Sequence, residues 1–309
     1  MTAPRFGFFF WPFSPEYTTR MVELGERDGW DMVGIADTPG NAMDVWVALT
    51  LAATRSQRVR LAACVTNLVT RHPAITVGAA TAVDAVSGGR MILGFGTGHS
   101  GVANLGAAAS KPMAYRDGLA STRALLRGDA ATQGGTVPRG APLRAVPVYG
   151  AASGPAALRS VGAVADGAFV NYGLQAEHVA QARAQLAAGA AQTARPVADV
   201  DTWWIACLDV ADRREVALAT LGNILGFVAA YVLGPAPAER GVPPELRAAV
   251  GELRRTYTTR RAEMDAALVK RLGLFDYLRG RLAVAGTPDD CIAQVRAAIA
   301  AGARQLMFT

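Results

Sequence analysis

Short runs of consecutive apolar residues alternate along the chain with longer stretches whose apolar positions recur every three or four residues. The short runs fall at Arg5–Phe10, Asp31–Ala36, Arg60–Thr66, Arg90–Phe95, Pro147–Ala151, Gly167–Asn171, Thr202–Leu208 and Arg304–Phe308. Segments such as Trp203-Trp204-Ile205 carry no polar alternation, which suits strands buried on both faces of a parallel sheet. Helix starts are marked between them. Ser14-Pro15-Glu16 and Thr287-Pro288-Asp289-Asp290 each place a capping residue before proline and acid, the N-terminal signature of a helix. Eight strand–helix alternations in one chain predict class α/β, a (β/α)8 TIM barrel spanning 1–309 as a single domain.

The spacing is uneven in two regions. Residues 96–114 and 128–146 are rich in glycine, alanine and proline around the fourth helix. Residues 211–286 hold more helix than one crossover needs, broken at Gly234-Pro235-Ala236-Pro237 and at 241–244. This stretch is predicted as a helical excursion on the barrel rim between strands 7 and 8. No internal repeat is visible.

Composition narrows the class. Of 309 residues 51% are hydrophobic and 18% charged, enough for a large core and too apolar for a disordered chain. The longest apolar runs, at 6–11 and 224–233, fall well short of the roughly 20 residues a membrane span needs. Arg5, Pro12 and Pro15 do not read as a signal peptide. A soluble, cytoplasmic protein is expected. The formal charge of +6 raises nucleic acid as a partner, but the cations are scattered arginines with only two lysines. The one dense patch, Arg254, Arg255, Arg260, Arg261, Lys270 and Arg271, is interleaved with Glu252, Glu263 and Asp265 and reads as a solvated helix face. An anionic ligand explains the basic balance as well. Three separated cysteines and three separated histidines give neither a disulfide framework nor a zinc site.

Three segments carry candidate chemistry. Arg90-Met-Ile-Leu-Gly-Phe-Gly-Thr-Gly-His-Ser-Gly101 contains a literal G-x-G-x-x-G, with Asp117 near the distance of a ribose-binding acid. The residues from Val102 to Pro112 do not open a helix at once, so the pyrophosphate-binding dipole of a dinucleotide fold is missing. The better reading is a turn that lets a flat ligand approach the backbone and presents His99. Ala151-Ala152-Ser153-Gly154-Pro155 reads equally as a phosphate cradle or as an ordinary serine cap. In the segment from Cys64 to Pro73, Thr66 and Asn67 place small polar groups at a barrel mouth, while His72 is assigned a structural place at a helix start.

Gly34-Ile-Ala-Asp-Thr38, Val65-Thr-Asn67, Thr70-Arg-His-Pro73, Ser87-Gly-Gly-Arg90, Gly96-Thr-Gly98, Ala151-Ala-Ser-Gly-Pro155 and Ala283-Val-Ala-Gly-Thr-Pro-Asp-Asp-Cys291 occur in this order. Together they resemble the bacterial-luciferase-like superfamily. The chain looks most like its branch that uses the deazaflavin coenzyme F-420, typified by methylenetetrahydromethanopterin reductase. The resemblance implies a barrel whose C-terminal mouth holds coenzyme F-420 or, alternatively, FMN. It implies a non-prolyl cis peptide at Cys64–Val65 behind the ring. Gly96, Thr97 and Gly98 would line the ring or ribityl chain. Ser153 and Gly154 would take the phosphate, with Asp37, Thr38, Thr66, Asn67, Ala152 and Pro155 also at the cofactor. A homodimer is implied, through the second and third helices with Trp46 near the seam. The chain departs from the sugar-phosphate dehydrogenase branch, where the positions of Thr38 and His99 hold histidine and glutamate. In many reductase-like members the His99 position is aspartate.

The leading functional expectation is therefore an oxidoreductase that moves hydride between F-420 and a small molecule with a C=O, C=N or activated C=C bond. His99 would act as general acid or base, with Asp37 as the rival catalytic residue. The alternative is an FMN-dependent monooxygenase that takes reduced flavin from a separate cofactor reductase. A third reading is a ligand-binding barrel without catalysis. Trp203, Phe227, Tyr231, Tyr257 and Phe275 are candidates for the substrate wall, although most aromatic residues at such spacing belong to a core.

Overall fold

The computed structural model describes residues 3–129, 145–258 and 265–309. Nine parallel strands are present: β1 (Arg5–Phe10), β2 (Met32–Ile35), β3 (Arg60–Asn67), β4 (Met91–Gly96), β5 (Val148–Ala152), β6 (Gly167–Val170), β7 (Asp201–Val210), β8 (Ala283–Gly286) and β9 (Gln305–Phe308). Each of β1 to β7 pairs with the next in order, β7 pairs with β9, and β9 returns to β1. Eight strands thus close a TIM barrel with helices outside it, as the apolar runs predict. Helix starts follow their caps. Ser14 accepts a hydrogen bond from the Tyr17 amide, and Thr287 and Asp290 form a reciprocal capping box.

The helical excursion needs one correction. Its last four residues form β8, hydrogen-bonded to the outer half of β7 from Cys207↔Ala283 to Val210↔Gly286. The cause is geometric: β9 pairs with β7 only as far as Ala206↔Phe308. Beyond that point the long strand β7 has a free edge, which β8 covers. The remainder of 211–286 that is described is mainly helical, with helices Arg214–Thr220, Gly222–Val232, Arg247–Thr256, Leu268–Arg271 and Phe275–Leu282. Their apolar faces meet in a cluster of Leu225, Val250, Leu253, Leu274 and Leu278 that reaches Cys207 and Ala283. Residues 130–144 of the glycine-rich connection, and Arg260, Arg261 and Glu263 of the charged patch, lie outside the described residues. No single described helix is long and apolar enough to cross a membrane.

Met32, Ala62, Ile92, Tyr149, Phe169, Trp203 and Met307 fill the barrel interior, so it is a packed core. The strand N-termini are closed by Asp201. Its carboxylate accepts hydrogen bonds from Arg5 (2.8 Å), Arg60 (3.5 Å), Gln305 (2.5 Å), Trp203 (3.3 Å) and the Tyr149 hydroxyl. Burial alone would raise the Asp201 pKa. The bonds from Tyr149 and Gln305 and the charges of Arg5 and Arg60 outweigh it and leave the pKa below the usual carboxylate range. The depressed folded value stabilises the fold above the unfolded carboxylate pKa, and that share is lost as pH falls through the folded value. Asp201→Asn is expected to cost about 1–3 kcal/mol at neutral pH. Urea melts at pH 7 and near pH 3 check this: the gap between variant and wild type should shrink at the lower pH. An equal gap at both would remove the ionised carboxylate from the explanation.

Candidate functional site

The strand C-termini surround a cavity of about 580 Å³, the end of a barrel where chemistry is placed. Asp37, Thr38, Cys64, Val65, Thr66, Asn67, Gly96, Thr97, Gly98, His99, Ala152 and Ser153 all line it. Gly154 and Pro155 sit behind Ser153 at the start of the next helix. The Cys64–Val65 peptide is cis, where the resemblance placed it. Val65 forms the floor, and Gly96 keeps the space above it open. A β-carbon on Gly96 would stand 2.9 Å from Val65 Cγ2.

Polar groups are held by their neighbours. Thr66 Oγ1 donates to Asp37 Oδ2 at 2.6 Å, and Trp11 Nε1 donates to Thr38 Oγ1 at 3.2 Å. Burial raises the Asp37 pKa above its ordinary value against the bond from Thr66. Asn67 Oδ1 accepts from the amides of Val69 and Thr70, both at 2.9 Å, and so fixes the turn after β3. His72 caps the following helix through Nδ1, as expected of a structural residue.

The loop after β4 differs from the sequence expectation. One helical turn, Ser100–Ala103, opens directly after the glycines with His99 at its cap. Gly98 has φ +100°, which favours glycine, and a β-carbon on Gly101 would stand 2.7 Å from the Asp37 carbonyl oxygen. The turn is thus pressed against the end of β2, and His99 faces inward. Its ring packs on Phe227 (centroids 5.2 Å apart) and Tyr231. Burial, assisted by the positive charge of Arg254, holds its pKa well below the ordinary histidine value. The imidazole is neutral at physiological pH.

The serine-cap reading of Ser153 does not hold. Gly154 occupies the cap position, with no side-chain cap bond, and Pro155 begins the helix Pro155–Val164. Ser153 Oγ instead accepts a hydrogen bond from Arg240 Nη1 at 2.9 Å. Arg240 was not singled out in the sequence; its only signal there is a cation after the Gly-Pro break. Arg254, read as part of a solvated face, also lines the cavity. Trp11, Asn171, Ile205, Val228 and Val232 are further lining residues that the motifs did not mark. Of the aromatic candidates, Phe227 and Tyr231 line the cavity and Tyr257 packs behind both. Trp203 belongs to the barrel interior, and Phe275 lies against Lys270.

Three buried polar atoms around this cavity have no hydrogen-bond partner among the described residues: His99 Nε2, Asn171 Oδ1 and Arg240 Nε. Buried polar groups are normally paired. A flat apolar floor with unpaired donors and acceptors at its rim fits a planar heterocycle carrying a polar, anionic tail.

Residues 3–305 match the family described as luciferase-like monooxygenase. The chain belongs to that family and is an enzyme of the oxidoreductase class. Among its relatives is the 5,10-methylenetetrahydromethanopterin reductase of Methanolobus tindarius, 28% identical over 98% of this chain and 93% of the relative. The F420-dependent glucose-6-phosphate dehydrogenase of Beutenbergia cavernae is 32% identical over 61% of this chain and 62% of its own length. Among solved structures, the coenzyme F420 dependent tetrahydromethanopterin reductase of Methanopyrus kandleri superposes with a TM-score of 0.78 at 22% identity, covering 99% of this chain and 93% of that one.

Proposed function

We propose that this protein is a coenzyme F-420-dependent oxidoreductase acting on a small organic molecule with a C=O, C=N or activated C=C bond. The observation that carries the reading is the cavity itself, with its Val65 floor, glycine-cleared wall and three unpaired polar atoms. The relatives named as F420-dependent glucose-6-phosphate dehydrogenases support the choice of coenzyme.

In this reading Cys64, Val65, Gly96, Thr97 and Gly98 hold the ring. Ala152, Ser153, Gly154 and Pro155 hold the phosphate, and Asp37, Thr38, Thr66 and Asn67 line the remaining edge. Bound there, the coenzyme supplies or accepts a hydride at its carbon five. The chain's own part is positioning and proton management. Trp11, Phe227 and Tyr231 are apolar walls that keep water from the reacting face. His99 is the side chain assigned to exchange a proton with substrate, and Asp37, engaged by Thr66, is a further titratable group lining the cavity.

Titration of purified protein with F-420 and separately with FMN, followed by absorbance or fluorescence, tests the proposal. Saturable F-420 binding is the expected result. Binding of FMN alone, with oxygen consumed from reduced FMN, would replace this reading with the monooxygenase one.

The same proposal places the whole of 1–309 in one domain and pairs two copies into a homodimer. Helices Val45–Thr54 and Pro73–Ser87 are apolar and expose Val47, Ile75 and Val86, side chains that pairing through these helices would cover. Trp46, on the first of these helices, is buried. Light scattering at micromolar concentration should give twice the chain mass; a monomer there would count against the pairing.

A further inference from the structure

Two arginines from the rim excursion, Arg281 buried and Arg240 partly buried, have no carboxylate partner among the described residues. Arg281 is wholly inaccessible to solvent. Its guanidinium donates to the carbonyl oxygens of Tyr172 (3.0 Å), Gly241 (3.3 Å) and Arg240 (2.6 Å), and to the Tyr277 hydroxyl (2.7 Å). All of its bonds to main chain therefore pin the segment 240–241 to the end of β6. Arg240, so pinned, sends its side chain back toward the loop after β5. Nη1 donates to the Ser153 carbonyl and hydroxyl and to the Val232 carbonyl.

The Arg240 guanidinium is charged, largely buried and incompletely satisfied. Burial pulls its pKa below the ordinary arginine value, with Arg254 and Arg281 adding repulsion against the attraction of Tyr172 and Glu239. Nε is buried with no partner. A buried cation without a counter-ion is unfavourable unless something anionic meets it. Next to it lies the start of the helix Pro155–Val164, whose first amides have no intrahelical acceptor and whose cap residue, Gly154, offers no side-chain oxygen. A β-carbon on Gly154 would stand 2.8 Å from the Arg240 guanidinium carbon, so glycine is what allows the two to meet. A guanidinium presents several donors in a fixed fork suited to phosphate oxygens.

We propose that Arg240 is the ligand by which the rim excursion holds the coenzyme's phosphate, and that this contact ties coenzyme binding to the placement of the substrate wall. The proposal rests on the F-420 reading and extends it to a residue outside the barrel loops. Arg240 also bonds to Val232, the last residue of helix Gly222–Val232, which carries Phe227 and Tyr231. Phosphate seated at Ser153 therefore adds a fixed anion to the junction that holds this helix. The substrate-facing aromatic residues become firmly positioned once the coenzyme is in place.

The test compares F-420 with its phosphate-free deazariboflavin portion, using wild type, Arg240→Gln, Arg240→Lys and Ser153→Asp. Fluorescence titration gives affinities, and hydrogen exchange over 222–232 reports the wall. Arg240→Gln should weaken F-420 binding at least tenfold, which is about 1.4 kcal/mol, and Arg240→Lys should weaken it less. Ser153→Asp should match the glutamine variant, because its carboxylate takes the place of the phosphate against Arg240. All four proteins should bind the phosphate-free portion alike. In wild type, F-420 should slow exchange over 222–232 more than the portion does, and Arg240→Gln should abolish that difference. F-420 affinity unchanged in Arg240→Gln would overturn the proposal while the coenzyme reading stands. Equal weakening of both ligands would also overturn it, since that marks a structural role. Wild type that binds neither ligand would overturn the coenzyme reading itself.

Discussion

Replacing His99 by alanine is expected to lower turnover about 10²-fold while leaving coenzyme affinity near that of wild type. The imidazole is a titratable side chain of the cavity wall that stands against both Phe227 and Tyr231, and its buried Nε2 has no partner among the described residues. The phosphate cradle proposed at Ser153 lies on a different strand end, so truncating His99 should leave coenzyme anchoring in place. The pH profile supplies the sign. Burial and then Arg254 depress the folded pKa well below the ordinary value, so the neutral form persists until pH falls through that lowered value. The wild-type rate should stay flat between about pH 6 and 7, where an unperturbed imidazole titrates. Steady-state kinetics across that range check this. An inflection near the ordinary histidine pKa, or near-normal turnover in His99→Gln, would make His99 a residue that shapes the pocket only.

The barrel was legible because strands buried on both faces leave long apolar runs, and all eight barrel strands show one. The strand β8 was not, because Ala283-Val284-Ala285-Gly286 follows the helix Phe275–Leu282 with no turn between them. Its pairing depends on how far β9 runs along β7, which is tertiary information. The site divides the same way. Thr66, Asn67, Gly96 and Ser153 sit at strand ends, where position in the barrel marks them. Arg240 and Arg281 come from a long excursion rich in arginine, and a lone arginine there has the sequence signature of a solvated one. Burial sets them apart, and burial depends on where 240–241 folds back over β6. Arg254 is exposed, as the solvated-face reading has it, and what the sequence did not mark is that the last turn of its amphipathic, charged helix also borders the cavity.

Gly94→Ala is expected to destabilise the protein by about 3 kcal/mol, the upper end of overpacking, with coenzyme binding lost in whatever folds. Gly94 lies inside β4, two residues before the glycine that clears the cavity. An added β-carbon would stand 2.3 Å from the Ala63 carbonyl oxygen, 2.9 Å from Phe169 and 3.1 Å from Val65. The nearest contact is main chain on the neighbouring strand, directly before the Cys64–Val65 cis peptide, so no side-chain rotation relieves it. β3 and β4 already change register between Ala63 and Thr66, and pushing them apart displaces the Val65 floor of the cavity. Gly280→Ala is the matched control. It lies at an exposed position of the helix Phe275–Leu282 with its nearest foreign atom 3.9 Å away. There alanine should be neutral or stabilising by about 0.5–1 kcal/mol. Thermal and urea melts of both variants, with F-420 titration of Gly94→Ala, carry the comparison. Equal stability of the two would show that β3 and β4 can separate by a methyl group's width without cost, and the glycine at 94 would then have no steric reason to be there.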